Sequence, residues 1–135
     1  MNTAINTVCI IDDDPIYVFG TKKIMESLNF CNHFIVHTNG KKAIDYLIPK
    51  LLANDTLPDV ILLDLNMPIM DGWQVLDELV KISSSQRIKI YIVSSSVDSR
   101  DLKRAKQYEL VCNYIVKPFS LDTVHNLIKD IEQRL

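Results

Sequence analysis

Glycine is scarce in this sequence, three residues in 135. None belongs to a GxxxxGK[ST] loop, so the phosphate cradle of a nucleotide kinase is missing. Cysteine is equally thin: Cys9, Cys31 and Cys112 are odd in number, far apart and without a CxxC pair. They read as reduced, buried thiols of a cytosolic protein. No apolar run approaches the roughly 18 residues of a membrane span. The start, Met1-Asn2-Thr3-Ala4-Ile5-Asn6-Thr7, lacks the basic and apolar stretches of a signal peptide. Neither sign of charge dominates; a net charge of -2 gives no general attraction to nucleic acid or anionic lipid. The histidines, His33, His37 and His125, are not spaced as a ligand set. What is present is ordinary for a globular chain, 47% hydrophobic and 24% charged. The length fits one domain, 1–135, with a core that needs no staples.

Four polar clusters stand out, each just past a short apolar run. Asp12 and Asp13 close Val8-Cys9-Ile10-Ile11, and Asp64 closes Val60-Ile61-Leu62-Leu63. Ser94 closes Ile90-Tyr91-Ile92-Val93, and Lys117-Pro118 closes Tyr114-Ile115-Val116. Short apolar runs separated by helical stretches read as buried parallel strands. Ligands bind along the carboxyl ends of such strands. Three carboxylates, a hydroxyl and a lysine therefore converge in one pocket, a set that takes a divalent cation and a phosphoryl group.

Between the clusters, strand and helix alternate. Strands are expected over 8–11, 34–37, 59–63, 88–93 and 112–116. A first helix over 15–28 tolerates Pro15 in its opening turn. Its packing face is Ile16, Gly20, Ile24 and Leu28, with Gly20 marking close packing because glycine there costs about 1 kcal/mol against alanine. Asn39-Gly40 turns the chain into a second helix that buries Ala43, Ile44, Leu47, Leu51 and Leu52, and Pro49 should kink or interrupt it. A third, over 71–82, turns Val75, Leu76, Leu79 and Val80 inward, and Ser83-Ser84-Ser85 is a polar linker. A fourth, over 99–108, is mostly solvated through Arg100, Asp101, Lys103, Arg104 and Lys106. Ser120 caps the last, over 121–134, whose stripe is Leu121, Val124, Leu127, Ile128, Ile131 and Leu135. This alternation implies a doubly wound α/β sheet with parallel crossovers. There is no internal repeat or low-complexity tract.

Chemistry follows from the crowding. Unit charges 4 Å apart at an effective dielectric near 20 repel by roughly 4 kcal/mol, so Asp12, Asp13 and Asp64 together call for a cation. Hard oxygen donors without nearby histidine or thiol favour Mg²⁺. Lys117 can pair with Asp64 when the site is empty and with a phosphoryl oxygen when it is filled. Pro118 invites a tight turn or a cis bond. Ser94 supplies a hydroxyl, with Ser95 as the alternative in register. A surface acidic run or an exposed loop lysine is the ordinary reading, weakened because each group directly follows a buried strand. Trp73 reads as packing or a half-exposed surface aromatic. The assembled set suits phosphoryl transfer to aspartate, with Asp64 attacking in line.

Ile11-Asp12-Asp13-Asp14-Pro15, Leu63-Asp64-Leu65-Asn66-Met67-Pro68-Ile69-Met70-Asp71-Gly72, the serines at 94 and Val116-Lys117-Pro118-Phe119 together strongly resemble the receiver domain of two-component response regulators. The resemblance covers essentially the whole chain, with a core of about 8–135. It implies a flavodoxin-like five-stranded sheet of order 2-1-3-4-5. It implies Asp64 as phosphoacceptor and Mg²⁺ held by Asp13, Asp64 and the backbone carbonyl of Asn66, with Asp12 acting through bound water. Lys117 and Ser94 would contact the phosphoryl group, and Tyr114 matches the aromatic whose rotation accompanies activation. A sensor histidine kinase or histidine phosphotransfer protein would be the donor, in the cytoplasm. Departures are serine at 94 where threonine is common, Glu109-Leu110-Val111-Cys112 in place of a small glycine-containing turn, and a longer loop after Pro49.

The leading expectation is a phosphorylatable switch that is no enzyme beyond its own phosphorylation and dephosphorylation. No output domain is expected after Leu135, so the signal leaves by contact with a downstream protein or by phosphorelay. Output would use the fourth helix, fifth strand and last helix, with Ser94 vacating space that Tyr114 enters. No direct nucleic-acid binding or membrane insertion is expected. The alternative, an aspartate-nucleophile phosphatase of haloacid dehalogenase type, wants an acid two residues after the nucleophile, where Asn66 stands. An inert receiver-like binding module would not need the full acid and lysine set.

Overall fold

The structure, a computed structural model, describes residues 5–134, the side chains at 83 and 86 apart. Strands β1 (Thr7–Ile11), β2 (His33–His37), β3 (Val60–Asp64), β4 (Ile90–Ser94) and β5 (Val111–Val116) alternate with helices. The helices are α1 (Pro15–Ser27), α2 (Gly40–Leu52), α3 (Gly72–Leu79), α4 (Ser99–Ala105) and α5 (Leu121–Arg134). Every paired strand is parallel, in the order β2-β1-β3-β4-β5. The doubly wound expectation and its strand order hold.

Strand alternation divides the core between the two faces. Cys9, Ile11, Ile61, Leu63, Ile90 and Ile92 pack with Ala43, Leu47, Val75, Leu76 and Leu79 of α2 and α3. Val8, Ile10, Leu62, Tyr91 and Val93 pack with Val18 and Met25 of α1 and Val124, Leu127 and Ile131 of α5. β3 and β4 are buried at every position. The edge strands β2 and β5 are half-buried and carry the polar His33, His37 and Asn113. Each helix start has a cap that satisfies free backbone N–H groups: Asp14 for α1, Asn39 for α2, Asp71 with Gln74 for α3, Asp98 for α4. Ser120 Oγ accepts from Thr123 N at 3.1 Å at the start of α5, as expected.

Several local expectations are corrected. α1 buries Val18, Thr21 and Met25, not Ile16, which is 83% exposed, or Gly20, where an added Cβ would meet nothing within 4 Å. Gly20 marks no close packing. Pro49 does not interrupt α2, which continues to Leu52 and closes with Ala53 N donating to the Pro49 carbonyl at 3.0 Å. Leu52, the last residue of α2, and Val80, just past α3, are exposed. The serine linker is a 3-10 turn, Ser83–Arg87, and Ser84 Oγ ties it to the Leu51 carbonyl at 3.0 Å. α3 and α4 stop three residues earlier than the pattern suggests. β3 starts at Val60, one residue later than expected; Asp59 before it still donates its N–H to the Thr7 carbonyl at 3.0 Å, and its carboxylate accepts from Asn6 N and Thr7 N at 2.7 and 2.9 Å. The segment Glu109-Leu110-Val111-Cys112 is accommodated by a register shift, Ile90 pairing Val111 and Tyr91 pairing Asn113. Such a shift admits one extra residue into an otherwise regular ladder. Leu135 of the expected α5 stripe lies outside the described residues.

Candidate functional site

The carboxyl edge of the sheet gathers the polar clusters. Asp12 follows β1, and its N–H donates to the His37 carbonyl at 3.0 Å, so β2 fixes its backbone. Asp64 and Ser94 are the last residues of β3 and β4, and Lys117 follows β5 with its N–H on the Ser94 carbonyl at 2.9 Å. Oxygens of Asp12, Asp13 and Asp64 lie within 4.8 Å of one another. Asp12 and Asp64 are buried and Asp13 is exposed, so the cluster opens to solvent on one side. Asp14 stands apart from it: its Oδ1 accepts from Ile16 N and Tyr17 N at 3.0 and 3.2 Å.

Lys117 Nζ lies 2.9 Å from Asp12 Oδ2 and 3.6 Å from Asp64 Oδ2. The expected pair with Asp64 is present, and Asp12 is the nearer partner. The other Asp12 oxygen accepts from Asp14 N at 3.0 Å. Asp64 Oδ1 has only a long contact with Asn66 N, 3.4 Å. Burial pushes the Asp64 carboxyl up to about 6; neighbouring Asp12 adds to the rise and Lys117 opposes it. A carboxylate so placed is short of stabilising contacts, and a hard cation with oxygen affinity would relieve it.

Ser94 is fully buried and its Oγ accepts from Ser96 N at 3.1 Å, whereas Ser95 is exposed. Tyr114 is turned inward, its hydroxyl donating to the Ser96 carbonyl at 2.9 Å. It thus reaches the β4–α4 loop, two residues from Ser94. The Lys117–Pro118 bond is cis. Asn66 is exposed at the mouth. Gly72 closes the base: an added Cβ would lie 2.5 Å from the Asp64 carbonyl oxygen, and its N–H donates to the Leu65 carbonyl at 2.9 Å. Trp73 sits beside the site and not in it, stacked on Tyr108 at 6.0 Å. Tyr17 and Ser96 were not singled out from the sequence. Neither has a pattern of its own; only the folded chain lays Tyr17 against Lys117, at 4.1 Å from ring centroid to Nζ.

A doubly wound sheet with buried acids, a lysine and a hydroxyl at its carboxyl edge suits a domain that exchanges phosphoryl groups on aspartate. Residues 8–129 match the model of the response regulator receiver domain, and the chain belongs to that family. It is 26% identical over 126 residues to the probable methanogenesis regulatory protein FilR2 of Methanothrix harundinacea, covering 93% of this chain and 81% of that one. It is 37% identical over 89 residues to the nitrate/nitrite response regulator protein NarL of Escherichia coli, covering 66% of this chain but only 38% of that one. A solved two-component response regulator from Cytophaga hutchinsonii superimposes with a TM-score of 0.84 at 29% identity, covering 96% of this chain and 98% of that one. The haloacid dehalogenase alternative finds no support in family or fold. Among the described residues, no helix is long and apolar enough to cross a membrane.

Proposed function

We propose that Asp64 accepts a phosphoryl group and that the protein signals according to whether it carries one. The observation that carries this reading is the convergence of Asp12, Asp13 and Asp64 within 4.8 Å, with the Lys117 ammonium against two of them. An Asp64 oxygen attacks phosphorus in line, the bond from phosphorus to the donor nitrogen breaks, and the imidazole leaves. Lys117 swings from Asp12 onto a phosphoryl oxygen, and the Ser94 hydroxyl donates to another. Asp13, Asp64 and the Asn66 carbonyl would hold Mg²⁺, with Asp12 reached through bound water. Bound there, the ion offsets the crowded carboxylates and draws charge from the phosphoryl oxygens. The all-oxygen donor set, open on the Asp13 side, suits such an ion.

The donor is a sensor histidine kinase or a histidine phosphotransfer protein, in a reducing cytoplasm that keeps three free thiols free. The recipient of the signal is a downstream protein, reached by contact or by phosphorelay. The protein turns over no separate substrate; it is loaded and reset. Incubation with acetyl phosphate should add one phosphate to the intact mass, and chelation of Mg²⁺ should abolish the gain. A mass gain indifferent to chelator would count against this reading.

A further inference from the structure

We propose that Tyr17 is a positioning residue for Lys117, gripping the ammonium against the face of its ring and so fixing where that charge meets a phosphoryl oxygen. The Nζ lies 4.1 Å from the ring centroid, well inside the roughly 6 Å over which an aromatic face attracts a cation. The same ammonium has Asp12 at 2.9 Å and Asp64 at 3.6 Å. Lysine carries three N–H bonds and no acceptor, so two carboxylate contacts leave one hydrogen to be met, and the ring meets it. Lys117 is only 16% exposed, and attraction between ring and cation strengthens as water is removed.

The ring is itself held from two sides. Tyr17 lies in the first turn of α1, where its N–H donates to Asp14 Oδ1 at 3.2 Å. Its edge packs on Phe119, centroids 5.9 Å apart at 62°, and Phe119 is buried two residues beyond Lys117. One aromatic thus bridges the helix that follows the acids and the loop that carries the lysine. The Tyr17 hydroxyl is buried, with Thr21 as its side-chain neighbour, so the contact with the ammonium belongs to the ring. Without it, a flexible four-carbon stem would let the ammonium wander over the carboxylates, because the lysine side chain has many rotamers open to it. The ring offers no oxygen ligand, so it should leave Mg²⁺ binding alone.

This inference rests on Asp64 being the phosphoacceptor, and one readout is independent of that. Protons of the Lys117 ε-methylene should resonate upfield in the wild type and in Tyr17→Phe, and at ordinary lysine positions in Tyr17→Leu. With acetyl phosphate and Mg²⁺, Tyr17→Phe should keep the phosphorylation rate within about twofold, and Tyr17→Leu should lose about tenfold, the scale of a partly desolvated cation–π contact. Calorimetric Mg²⁺ affinity should be unchanged in both. Mono-, di- and trifluorinated phenylalanine at 17 keeps the ring's shape while draining its face, so rates should fall stepwise. An ordinary Lys117 shift in the wild type, a flat fluorine series, or Tyr17→Phe as slow as Tyr17→Leu would each overturn the proposal. An upfield shift without any phosphate gain would uphold the grip and overturn the phosphoacceptor reading instead.

Discussion

Asp64 is costly to the fold for the same reason it is useful. Its carboxyl is pushed up to about 6, first by burial and then by Asp12, while an aspartate in the unfolded chain titrates near 4. Between those values the folded protein holds a proton that the unfolded chain has released, so metal-free stability falls as pH rises from about 4 to about 6 and levels off above. Two units correspond to about 3 kcal/mol at most. Urea unfolding of wild type and Asp64→Asn in the presence of chelator tests this, since titrating groups remote from Asp64 cancel in the difference. The variant's advantage should grow by about 1–3 kcal/mol across that window. An advantage independent of pH would show that Asp64 titrates normally. At this scale the sequence was informative about which side chains meet, because each ends an apolar strand. It did not rank the lysine's partners: Asp12 over Asp64 is decided by tenths of an ångström in the loop after β5.

Among the elements, α4 is tied at its two ends to different neighbours. In its last turn Arg104 lies over Trp73 at 4.4 Å, Trp73 stacks on Tyr108, and the Tyr108 hydroxyl donates to Asp77. Its first turn, capped by Asp98, is tied to the β4–α4 loop by one hydroxyl: Ser96 Oγ donates to Asp101 at 2.8 Å and accepts from Asp98 N at 3.3 Å. The same residue donates its N–H to Ser94 and accepts from Tyr114. A phosphoryl oxygen drawing on Ser94 therefore pulls first on Ser96, and through it on the first turn of α4 and on Tyr114. Amide shifts recorded with and without beryllofluoride should move strongly over 94–101 and at Tyr114, reach α5, and stay small at Trp73 and Arg104. Changes confined to the surroundings of Asp64 would rule out this route to the face of α4, β5 and α5. Helix existence was legible from apolar spacing, but helix faces were less so. In α1 the every-fourth set Ile16, Gly20, Ile24 and Leu28 competed with a buried stripe disguised by polar Thr21. Exposed Ile16 and Phe19 show that apolar residues on a helix need not face the core.

For the whole molecule, alternation of strand and helix was enough to expect a parallel sheet and to place every polar cluster on one edge. The order of strands was not contained in that alternation, since it depends on long-range packing; it entered through the resemblance to receiver domains. A trace was visible in composition, where His33, His37 and Asn113 suit the half-buried edges β2 and β5 and would not suit β3 or β4. The account as a whole turns on one residue at the end of the central strand. The most direct test is to load the protein with acetyl phosphate and Mg²⁺, reduce the acyl phosphate with borohydride, and locate the reduced residue by peptide sequencing in the mass spectrometer. Reduction at Asp64 alone, lost in Asp64→Asn, is the predicted result. Label on another carboxylate, or label that survives Asp64→Asn, would contradict the account.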